Sequence, residues 1–551
     1  MKTSIKNIFA VGLVCCGFAA ATSSCTDLDV PVKSQYTSYP DNESAVEAQM
    51  TSIYNQMRDC FGRRYMEAMA LSSDEWTAVS YGGGWVDGFA YAHPSYHNYS
   101  YQDASIDWMD VLGSGIVKAN EIIESDAAEK YRVSARAMRA YFTFLMMDCW
   151  GDVPINDSSI EGLDRELRQP RADVARWIES ELKEIIPLLP TNVKDNYGKP
   201  TKYMAQALLA KLYINWAVYT ANGVENYDAA TAVNEKLNDC VAVCDEIIKS
   251  GEFELGPDAY RFKFSYDNTE RFEAGTIKDF IYVMPYHTTE ATGMQYGRSH
   301  SYKDIKNCKP SYYGMNLSQS GGGYMTLTPE FVSIFNLEGD ERNKMILGNN
   351  DRTNDGKVYV YDPETLEPTA EICKDKNNAD LVLSKEVNLI TENDNEINVG
   401  DNTEGYRQGF RSIKWFVIDD DYKNGRNQSN DLPLFRYADV LLMKAEAIAR
   451  GAQATNGETA KSLFNQIRSY VNAPALDHEP SLQEIYDERG REFFDENWRR
   501  NDMIRFGHFE DEYFPHYKSN PNASFDKTHR VFPVHKDDLD LNPKWKQNPG
   551  Y

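Results

Sequence analysis

Apolar residues recur at helical spacing in long stretches near both ends of the chain. Between residues 200 and 220, for example, Ala205, Leu208 and Leu212 fall on one helix face. The stretch 134–150 is apolar on nearly every side, which predicts a helix that is buried all round. The same periodicity predicts further helices at residues 44–58, 116–125, 172–188, 238–250, 435–450, 459–470 and 481–499.

Short breaks rich in Gly, Pro or Asn divide several of these predicted helices into pairs. Such pairing is typical of stacked helical hairpins of the tetratricopeptide kind. Residues 251–431 differ, because Gly, Asn, Asp and Tyr dominate there and apolar residues alternate only briefly, as at 357–361. We therefore expect a mainly α fold with a tetratricopeptide-like scaffold at 41–250 and 432–500. An irregular, loop-rich lobe with short β-hairpins would come from 251–431, and a C-terminal segment would follow at 501–551.

The N-terminus has the pattern of a secretory leader. Lys2 and Lys6 precede an apolar run at residues 8–21, which is typical of a signal peptide. As a helix, this run is shorter than the ~30 Å hydrocarbon core of a bilayer, so a membrane span is disfavoured. We expect residues 1–24 to be the signal peptide.

The leader ends in small residues that close on Cys25. This ending resembles a lipobox, so we expect Cys25 to be lipidated and residues 25–40 to form a tether. Two or more acyl chains anchor a protein stably without further membrane contacts. Thr22 stands where a lipobox prefers Leu, which leaves ordinary cleavage, with a free or disulfide-bonded cysteine, as the alternative.

Charge excludes several classes of partner. The chain has 84 acidic and 58 basic residues, and its net charge is −26. Nucleic-acid binding proteins usually present a basic surface, so we expect no nucleic-acid partner. Electrostatic attraction to anionic lipid is excluded for the same reason, and membrane attachment is expected through the lipid anchor alone.

Motifs of catalysis and metal binding are absent or incomplete. The sequence has no nucleophile elbow, phosphate-binding loop, H-E-x-x-H motif or dinucleotide fingerprint in a suitable context, so we expect no enzyme activity. Cys240 and Cys244 lie one helical turn apart on an apolar face and are interpreted as buried thiols. No cofactor is expected. Residues 351–356 and 419–421 resemble parts of calcium loops, but a hairpin turn and a solvated loop are the favoured interpretations.

Aromatic residues cluster where aliphatic ones would be expected. Residues 76–108 contain nine Trp, Tyr and Phe residues, and residues 282–324 contain seven Tyr, both among Gly and polar residues. Flat rings suit the apolar C–H face of a pyranose, whose hydroxyls need polar partners. The alternative is that many of these rings fill cores beneath long loops. The candidate ligand-binding residues are Asp74, Trp76, Tyr81, Trp85, Tyr91, Tyr296, Arg298, Tyr302 and Tyr313.

Four stretches together resemble the SusD/RagB family of outer-membrane nutrient-binding lipoproteins. They lie at residues 135–154, 200–213, 434–447 and 488–507, in the order of the family, and the chain ends in the matching Asn-Pro-Gly-Tyr. The charged residues of the last two stretches lie among apolar helix positions, where unpaired charge is costly. We expect the following residues to form buried ion pairs that join helices: Arg436, Asp439, Glu446, Glu488, Arg491, Glu492 and Arg499.

The resemblance implies a fold and a function. The fold would be four tetratricopeptide-like hairpins, with ligand contacts from variable aromatic loops. The protein would capture oligosaccharide or polysaccharide at the outer face of the cell outer membrane and pass it to a SusC-like TonB-dependent transporter. Asp27 and Asp29 after the cysteine resemble the export signal of surface lipoproteins. The alternatives are capture of peptide or glycoprotein by the same mechanism, and a surface glycoside hydrolase.

Overall fold

Long α-helices occupy both ends of the described chain, and short strands occupy its middle. The computed structural model describes residues 43–82, 91–158, 167–349, 355–389, 397–513 and 522–551. Residues 48–551 form one unit, and residues 1–47 form another, of which the described part is the start of a helix. Within the described ranges, no helix has the length and apolarity that a membrane span requires.

The N-terminal half is built mainly from helices. Their bounds are α1 Glu43–Tyr54, α2 Tyr65–Leu71, α3 Ala92–Ser95, α4 Met109–Glu124, α5 Glu129–Trp150, α6 Arg171–Ile185, α7 Lys202–Ile214, α8 Trp216–Thr220, α9 Leu237–Ser250 and α10 Asn268–Ala274. Helix α5 packs against both α4 and α6. From Val133 onward nearly all of its residues are buried, because apolar side chains cover its whole circumference.

The second half supplies the remaining helices. Their bounds are α11 Pro329–Val332, α12 Thr403–Tyr406, α13 Tyr437–Ala449, α14 Ala460–Tyr470, α15 Leu482–Phe493, α16 Arg499–Phe506 and α17 Lys536–Leu541. Helices α14 and α15 begin with capping boxes, in which Thr459 pairs with Ser462 and Ser481 pairs with Glu484. Helix α13 packs against α7, α9, α14 and α15, so it joins the helical segments from both ends of the chain.

Short strands, most of them from the middle of the chain, form antiparallel pairs. The strands are β1 Trp76–Ala78, β2 Phe280–Met284, β3 Met325–Leu327, β4 Ile346–Leu347, β5 Tyr359–Tyr361, β6 Pro368–Ile372, β7 Arg411–Ser412 and β8 Leu432–Arg436. The pairs are β1 with β3, β2 with β8, β4 with β7 and β5 with β6. Only β5 and β6 are neighbours in sequence, so the other pairs hold distant parts of the chain together. The architecture is the expected one: a mainly α, tetratricopeptide-like scaffold with short β pairs.

Two of the predicted helices are interrupted. The segment 200–220 divides into α7 and α8 at Asn215, whose side chain donates to the Lys211 carbonyl at 2.9 Å. The segment 481–499 ends at Phe493, and a new helix, α16, begins at Arg499. Asp495 and Asn497 between them have left-handed φ angles of 65° and 72°. Both breaks arise from short polar residues, which favour turns over helix interiors.

Buried charges link the lobe strands to the scaffold helices. Arg436, at the end of β8, contacts Asp279 at 2.8 Å, Glu492 at 2.8 Å and Glu496 at 2.7 Å. Arg342 contacts Glu488 at 2.8 Å and Glu492 at 3.2 Å. We call this group of six residues the ion-pair frame, and all of its members are buried. Arg436, Glu488 and Glu492 are buried and ion-paired as predicted, but Arg436 ends a strand, so its pair with Glu492 joins β8 to α15 and does not join two helices.

A second set of buried pairs follows the same principle. Asp439 on α13 lies 2.5 Å from Lys211 on α7 and 2.9 Å from Arg489 on α15. Arg505 on α16 lies 2.8 Å from Glu446 on α13. Charged residues that are costly to bury alone therefore connect four helices. The predicted thiols Cys240 and Cys244 are buried on α9, also as expected.

Candidate binding surface

The two aromatic stretches identified in the sequence meet beside one strand pair. Strand β1 pairs with β3, so that Trp76 lies opposite Leu327 and Ala78 lies opposite Met325. The chain continues past β1 with Val79 donating its N–H to the Tyr324 carbonyl at 2.8 Å. These pairings bring residues 76–82 alongside the end of the second aromatic stretch.

A third segment joins them from residue 397 onward. Ser80 donates its N–H to the Ile397 carbonyl at 2.6 Å and accepts from the Val399 N–H at 2.9 Å. Next to these bonds, the Asn398 side-chain oxygen accepts from the Gly82 N–H at 3.1 Å. The chain around residue 81 is thus held on both sides by backbone pairing.

Tyr81 lies at this junction with its ring half-buried. Its hydroxyl donates to the Gly323 carbonyl, and the Arg411 guanidinium lies 3.5 Å from the same oxygen. Burial raises the pKa of Tyr81, and Arg411 opposes this shift only in part. The ammonium of Lys303 lies 5.1 Å from the ring centroid, within cation–π distance. The hydroxyl end of the side chain is fixed, and the residue as a whole is half-buried.

Tyr406 completes a pair of rings. It ends α12, and its ring centroid lies 5.3 Å from that of Tyr81 at an interplanar angle of 85°, an edge-to-face arrangement. Its hydroxyl is hydrogen-bonded to the Asp401 carboxylate, and this bond, with some burial, raises the pKa of Tyr406 to about 12. Lys376 lies 5.1 Å from the Tyr406 ring.

Polar side chains surround the two rings. Asp401 is exposed, Asn398 is half-buried, and Lys376 forms an ion pair with Asp304 at 3.3 Å. We call the group Tyr81, Lys303, Lys376, Asn398, Asp401 and Tyr406 the Tyr81–Tyr406 surface. It combines half-buried rings with carboxylate, amide and ammonium groups, which can donate to or accept from hydroxyl groups.

The turn that presents Tyr406 depends on one glycine. A Cβ at Gly405 would lie 2.1 Å from the Gly400 carbonyl oxygen, so no larger residue fits there without backbone movement. Asn402 caps the turn, because its side-chain oxygen accepts from the Gly405 N–H at 2.8 Å. Local sequence therefore sets the position of this ring.

Trp76 and Tyr296 do not lie on the surface, which corrects the prediction that they contact ligand. Both are 0% exposed. The Trp76 ring stacks on His300 at 4.2 Å with an interplanar angle of 18°, and Tyr296 meets the same imidazole edge-on at 4.2 Å. These rings form a core beneath the loops, the alternative that the sequence had left open.

Tyr91, Tyr302 and Tyr313 are buried as well, so the prediction is wrong for these rings in the same way. The Tyr91 hydroxyl accepts from Arg63 at 2.8 Å, and its ring lies 4.9 Å from that of Tyr324. The Tyr302 N–H donates to the Tyr313 hydroxyl at 3.3 Å. Long loops need a core of their own, and tyrosine supplies both apolar area and a hydrogen bond for it.

The two charged candidates have different surroundings. Asp74 is half-buried and forms a two-pronged ion pair with Arg499, at 2.7 Å and 2.8 Å, so it joins the segment before β1 to α16. Arg298 is half-buried, and its carbonyl accepts from the Gly322 N–H at 2.8 Å. Of the predicted residues, Tyr81 and Arg298 therefore remain near the accessible junction. Trp85 and Cys25 lie outside the described residues.

Sequence reasoning missed most of the Tyr81–Tyr406 surface. Tyr406 is a single aromatic residue in a stretch of Gly, Asp, Asn and Thr, so the density of aromatic residues there is not unusual. The available signal was the Asn402 cap followed by Gly405, which predicts a tight turn that presents the next residue. The pairing of residue 80 with residue 398 is a long-range parallel contact, which local pattern does not encode.

The surface is suited to adsorbing a ligand. Its charged groups are distributed around the rings, and no group of three or more His, Cys, Asp or Glu residues that could hold a metal occurs within the described ranges. His93 and His97, which lie four residues apart, have separate partners, since His93 contacts Asp103 at 2.9 Å and His97 contacts the Ser72 carbonyl at 3.0 Å. Fold and surface together define a helical scaffold protein with a loop-built aromatic surface.

Comparison with known proteins agrees with this class. The model of the SusD family matches residues 278–551. The starch-binding protein SusD of Bacteroides thetaiotaomicron is 23% identical over 465 residues, which cover 81% of this chain and 78% of that protein. The resemblance to the SusD family seen in the sequence is confirmed by these matches.

Solved structures share the fold. A SusD homologue from Bacteroides thetaiotaomicron aligns with a TM-score of 0.68 and 18% identity, covering 93% of this chain and 98% of that one. Surface glycan-binding protein A from Bacteroides uniformis aligns with a TM-score of 0.66 and 17% identity, covering 92% and 99%. At these low sequence identities, the two matches show a shared fold and nothing beyond it.

Proposed function

We propose that the protein is a cell-surface lipoprotein that captures oligosaccharide or polysaccharide and delivers it to a SusC-like TonB-dependent transporter. The observation that carries the proposal is the pair of half-buried rings, Tyr81 and Tyr406, bordered by polar and charged groups. Two of the similar proteins are named for starch binding and for surface glycan binding, which supports a glycan as the ligand.

The geometry suits a sugar for two reasons. A pyranose presents an apolar C–H face that packs on an aromatic ring, and the half-buried residues Tyr81 and Tyr406 offer two such rings at an angle to each other. Its hydroxyl groups need partners, which Asp401 and Asn398 supply as acceptors and Lys303 as a donor. The ligand would be held by adsorption and released intact, so the proposed role is capture without hydrolysis.

Affinity electrophoresis tests the capture step. The leaderless chain, residues 26–551, is run in native gels cast with a panel of neutral and acidic polysaccharides, beside Tyr81→Ala and Tyr406→Ala variants. We expect retardation by at least one polysaccharide, about tenfold weaker in each variant because a central stacking ring is lost. Tyr101→Ala is the control, because Tyr101 is an exposed tyrosine, at 43%, that does not belong to the Tyr81–Tyr406 surface; its carbonyl accepts from the Lys536 N–H.

A reducing-sugar assay on the same samples tests whether the role is capture alone. Retardation without release of reducing ends agrees with the proposal. A folded wild-type chain that no polysaccharide retards, or a Tyr81→Ala/Tyr406→Ala double variant that binds as the wild type does, would overturn it. Release of reducing sugar would replace capture with catalysis.

The lipid anchor and the delivery step need the full-length chain. Metabolic labelling with a fatty acid should label the wild type and not a Cys25→Ala variant. The labelled protein should copurify with a TonB-dependent transporter from detergent-solubilised outer membranes. A wild-type chain that takes up no label would contradict the anchor, and one that purifies without a transporter would contradict delivery.

A further inference from the structure

A second groove lies in the lobe, outside the Tyr81–Tyr406 surface. It has a volume of about 600 Å³ and lies between the start of α10, the turn at 285–291 after β2, and the segment 418–429. This volume falls within the ~300–1,000 Å³ range of small-molecule sites. None of the residues that line it belongs to the Tyr81–Tyr406 surface.

The walls of the groove are held by a buried carboxylate. Asp431 is 0% exposed, accepts from the Tyr286 N–H at 2.6 Å and also accepts from the Thr269 hydroxyl. It therefore ties the turn at 285–291 to α10. On the other side, the Thr288 N–H donates to the Ser429 hydroxyl at 3.2 Å, which fixes the turn to the segment 418–429. The groove is thus formed before any ligand arrives.

One aromatic ring is available inside the groove. Tyr266 is half-buried and lines it, whereas the other lining tyrosine, Tyr286, is buried with its hydroxyl donated to the Arg58 carbonyl at 2.6 Å. Pro285 adds apolar area beside the rings, and Thr289 adds an exposed hydroxyl. The groove therefore resembles the Tyr81–Tyr406 surface in that a half-buried aromatic residue is bordered by polar groups.

The charges of this groove differ from those of the first surface. Glu270 and Glu290 are exposed lining residues, and neither has an ion-pair partner among the residues that the structure describes. The remaining carboxylate and ammonium, those of Asp420 and Lys423, pair with each other. The groove therefore has two uncompensated negative charges, which repel anionic ligands and accept hydrogen bonds from hydroxyl groups.

We propose that this groove is a second glycan-binding site, specific for uncharged sugars. The inference rests on the proposed function in the sense that both sites would hold parts of one captured glycan. Tyr266 would stack on a sugar ring, and Glu270 and Glu290 would accept from its hydroxyls. A uronic acid would be excluded, because its carboxylate would face both glutamates.

The test uses the neutral polysaccharide that retards the wild type and polygalacturonate as the anionic probe. We expect Tyr266→Ala to weaken retardation by the neutral polysaccharide about tenfold. A Glu270→Gln/Glu290→Gln variant should keep neutral binding within about threefold. It should bind polygalacturonate at least about fivefold better than the wild type at low salt, because repulsion between charges about 4 Å apart in water is removed. This gain should disappear at 1 M salt, where the Debye length is ~3 Å.

Matched controls separate the groove from general effects. Glu252→Gln removes an exposed carboxylate elsewhere, and Tyr101→Ala removes an exposed ring elsewhere. Neither should change binding of either probe. A Tyr266→Ala variant that is folded, by its near-UV circular dichroism, and binds like the wild type would overturn the second site. If the Glu270→Gln/Glu290→Gln variant binds polygalacturonate no better than the wild type does, the proposed specificity of the groove for uncharged sugars would be overturned.

The outcome also distinguishes the two proposals from each other. If Tyr81→Ala/Tyr406→Ala abolishes binding and Tyr266→Ala has no effect, the proposed function stands and the second site fails. If only Tyr266→Ala weakens binding, the groove stands and the Tyr81–Tyr406 surface fails. A wild-type chain that no polysaccharide retards contradicts both.

Discussion

The ion-pair frame and the Tyr81–Tyr406 surface use similar residues in opposite ways. In the frame, Arg436 contacts three carboxylates and is buried, so each charge is neutralised inside the fold. At the surface, Lys303 and Asp401 stand beside half-buried rings. The difference shows that this fold is stabilised at one place and presents its polar groups at another, so the surface is free to vary without loss of the scaffold.

Carboxylates in the two regions also differ in acidity. Burial opposes ionisation of Glu488, but Arg342, Arg491 and Arg468 hold its pKa at about 2. In the lobe, burial raises the pKa of Asp421 to about 7, and the backbone N–H groups of Ile418 and Ser429, which stabilise the charged form, offset this shift only in part. A fall in pH therefore lowers the stability contributed by Glu488 in the scaffold and raises that contributed by Asp421 in the lobe.

The largest effect should come from breaking the ion-pair frame. We expect Arg436→Met to lower the free energy of unfolding by about 3–5 kcal/mol, because it leaves buried carboxylates uncompensated. Urea unfolding measures this loss. The matched control is Arg176→Met, whose ion pair with Asp173 is more than half exposed and should be worth no more than about 1 kcal/mol. Equal losses in the two variants would contradict the comparison.

Removal of a buried aromatic ring should lower the free energy of unfolding nearly as much as the Arg436→Met substitution does. We expect Tyr296→Ala to lower the free energy of unfolding by about 3–5 kcal/mol, since it opens a cavity beside His300. Tyr81→Ala should cost about 1 kcal/mol, because its ring is only half-buried and its main loss is one hydrogen bond. The comparison fails if the two variants unfold at the same urea concentration.

Acid should destabilise the scaffold within a defined pH range. Glu488 and Asp502 both have pKa values near 2, below their ordinary values of 4.5 and 3.8, so their contribution is complete above about pH 5. It is lost as the pH falls from there toward 2, because the folded state must then take up protons. We expect the melting temperature to fall progressively across this range. A constant melting temperature from pH 5 to pH 2.5 would be the contrary result.

The smallest effect should be confined to the segment around Asp421 and Asp431, where stability rises as the pH falls. Asp421 has a pKa of about 7 and Asp431 a pKa of about 6, both above the ordinary 3.8, so folding favours their protonated forms. Their contribution is complete below about pH 4 and is lost as the pH rises through 6 to 7. Amide exchange in residues 418–431, corrected for intrinsic rates, should therefore accelerate between pH 5 and pH 8. An Asp421→Asn variant should respond less, and an equal response in both would refute the assignment to Asp421.

The scaffold was predictable from sequence, whereas the surface was predictable only in part. Helical periodicity located α5, α9 and α14 to within a few residues, because burial of one face or of all faces sets that period. Aromatic density in the loops pointed to Tyr81, but also to Trp76 and Tyr296. It could not separate rings that fill a core from rings that remain accessible, because that depends on long-range pairs such as β1 with β3.

A crystal structure of the leaderless chain with the polysaccharide fragment that it retains is the most direct test of the central claim. We expect sugar density against the rings of Tyr81 and Tyr406, with hydroxyl groups within hydrogen-bond distance of Asp401 or Asn398. Sugar bound to the scaffold helices, with both rings uncovered, would contradict it.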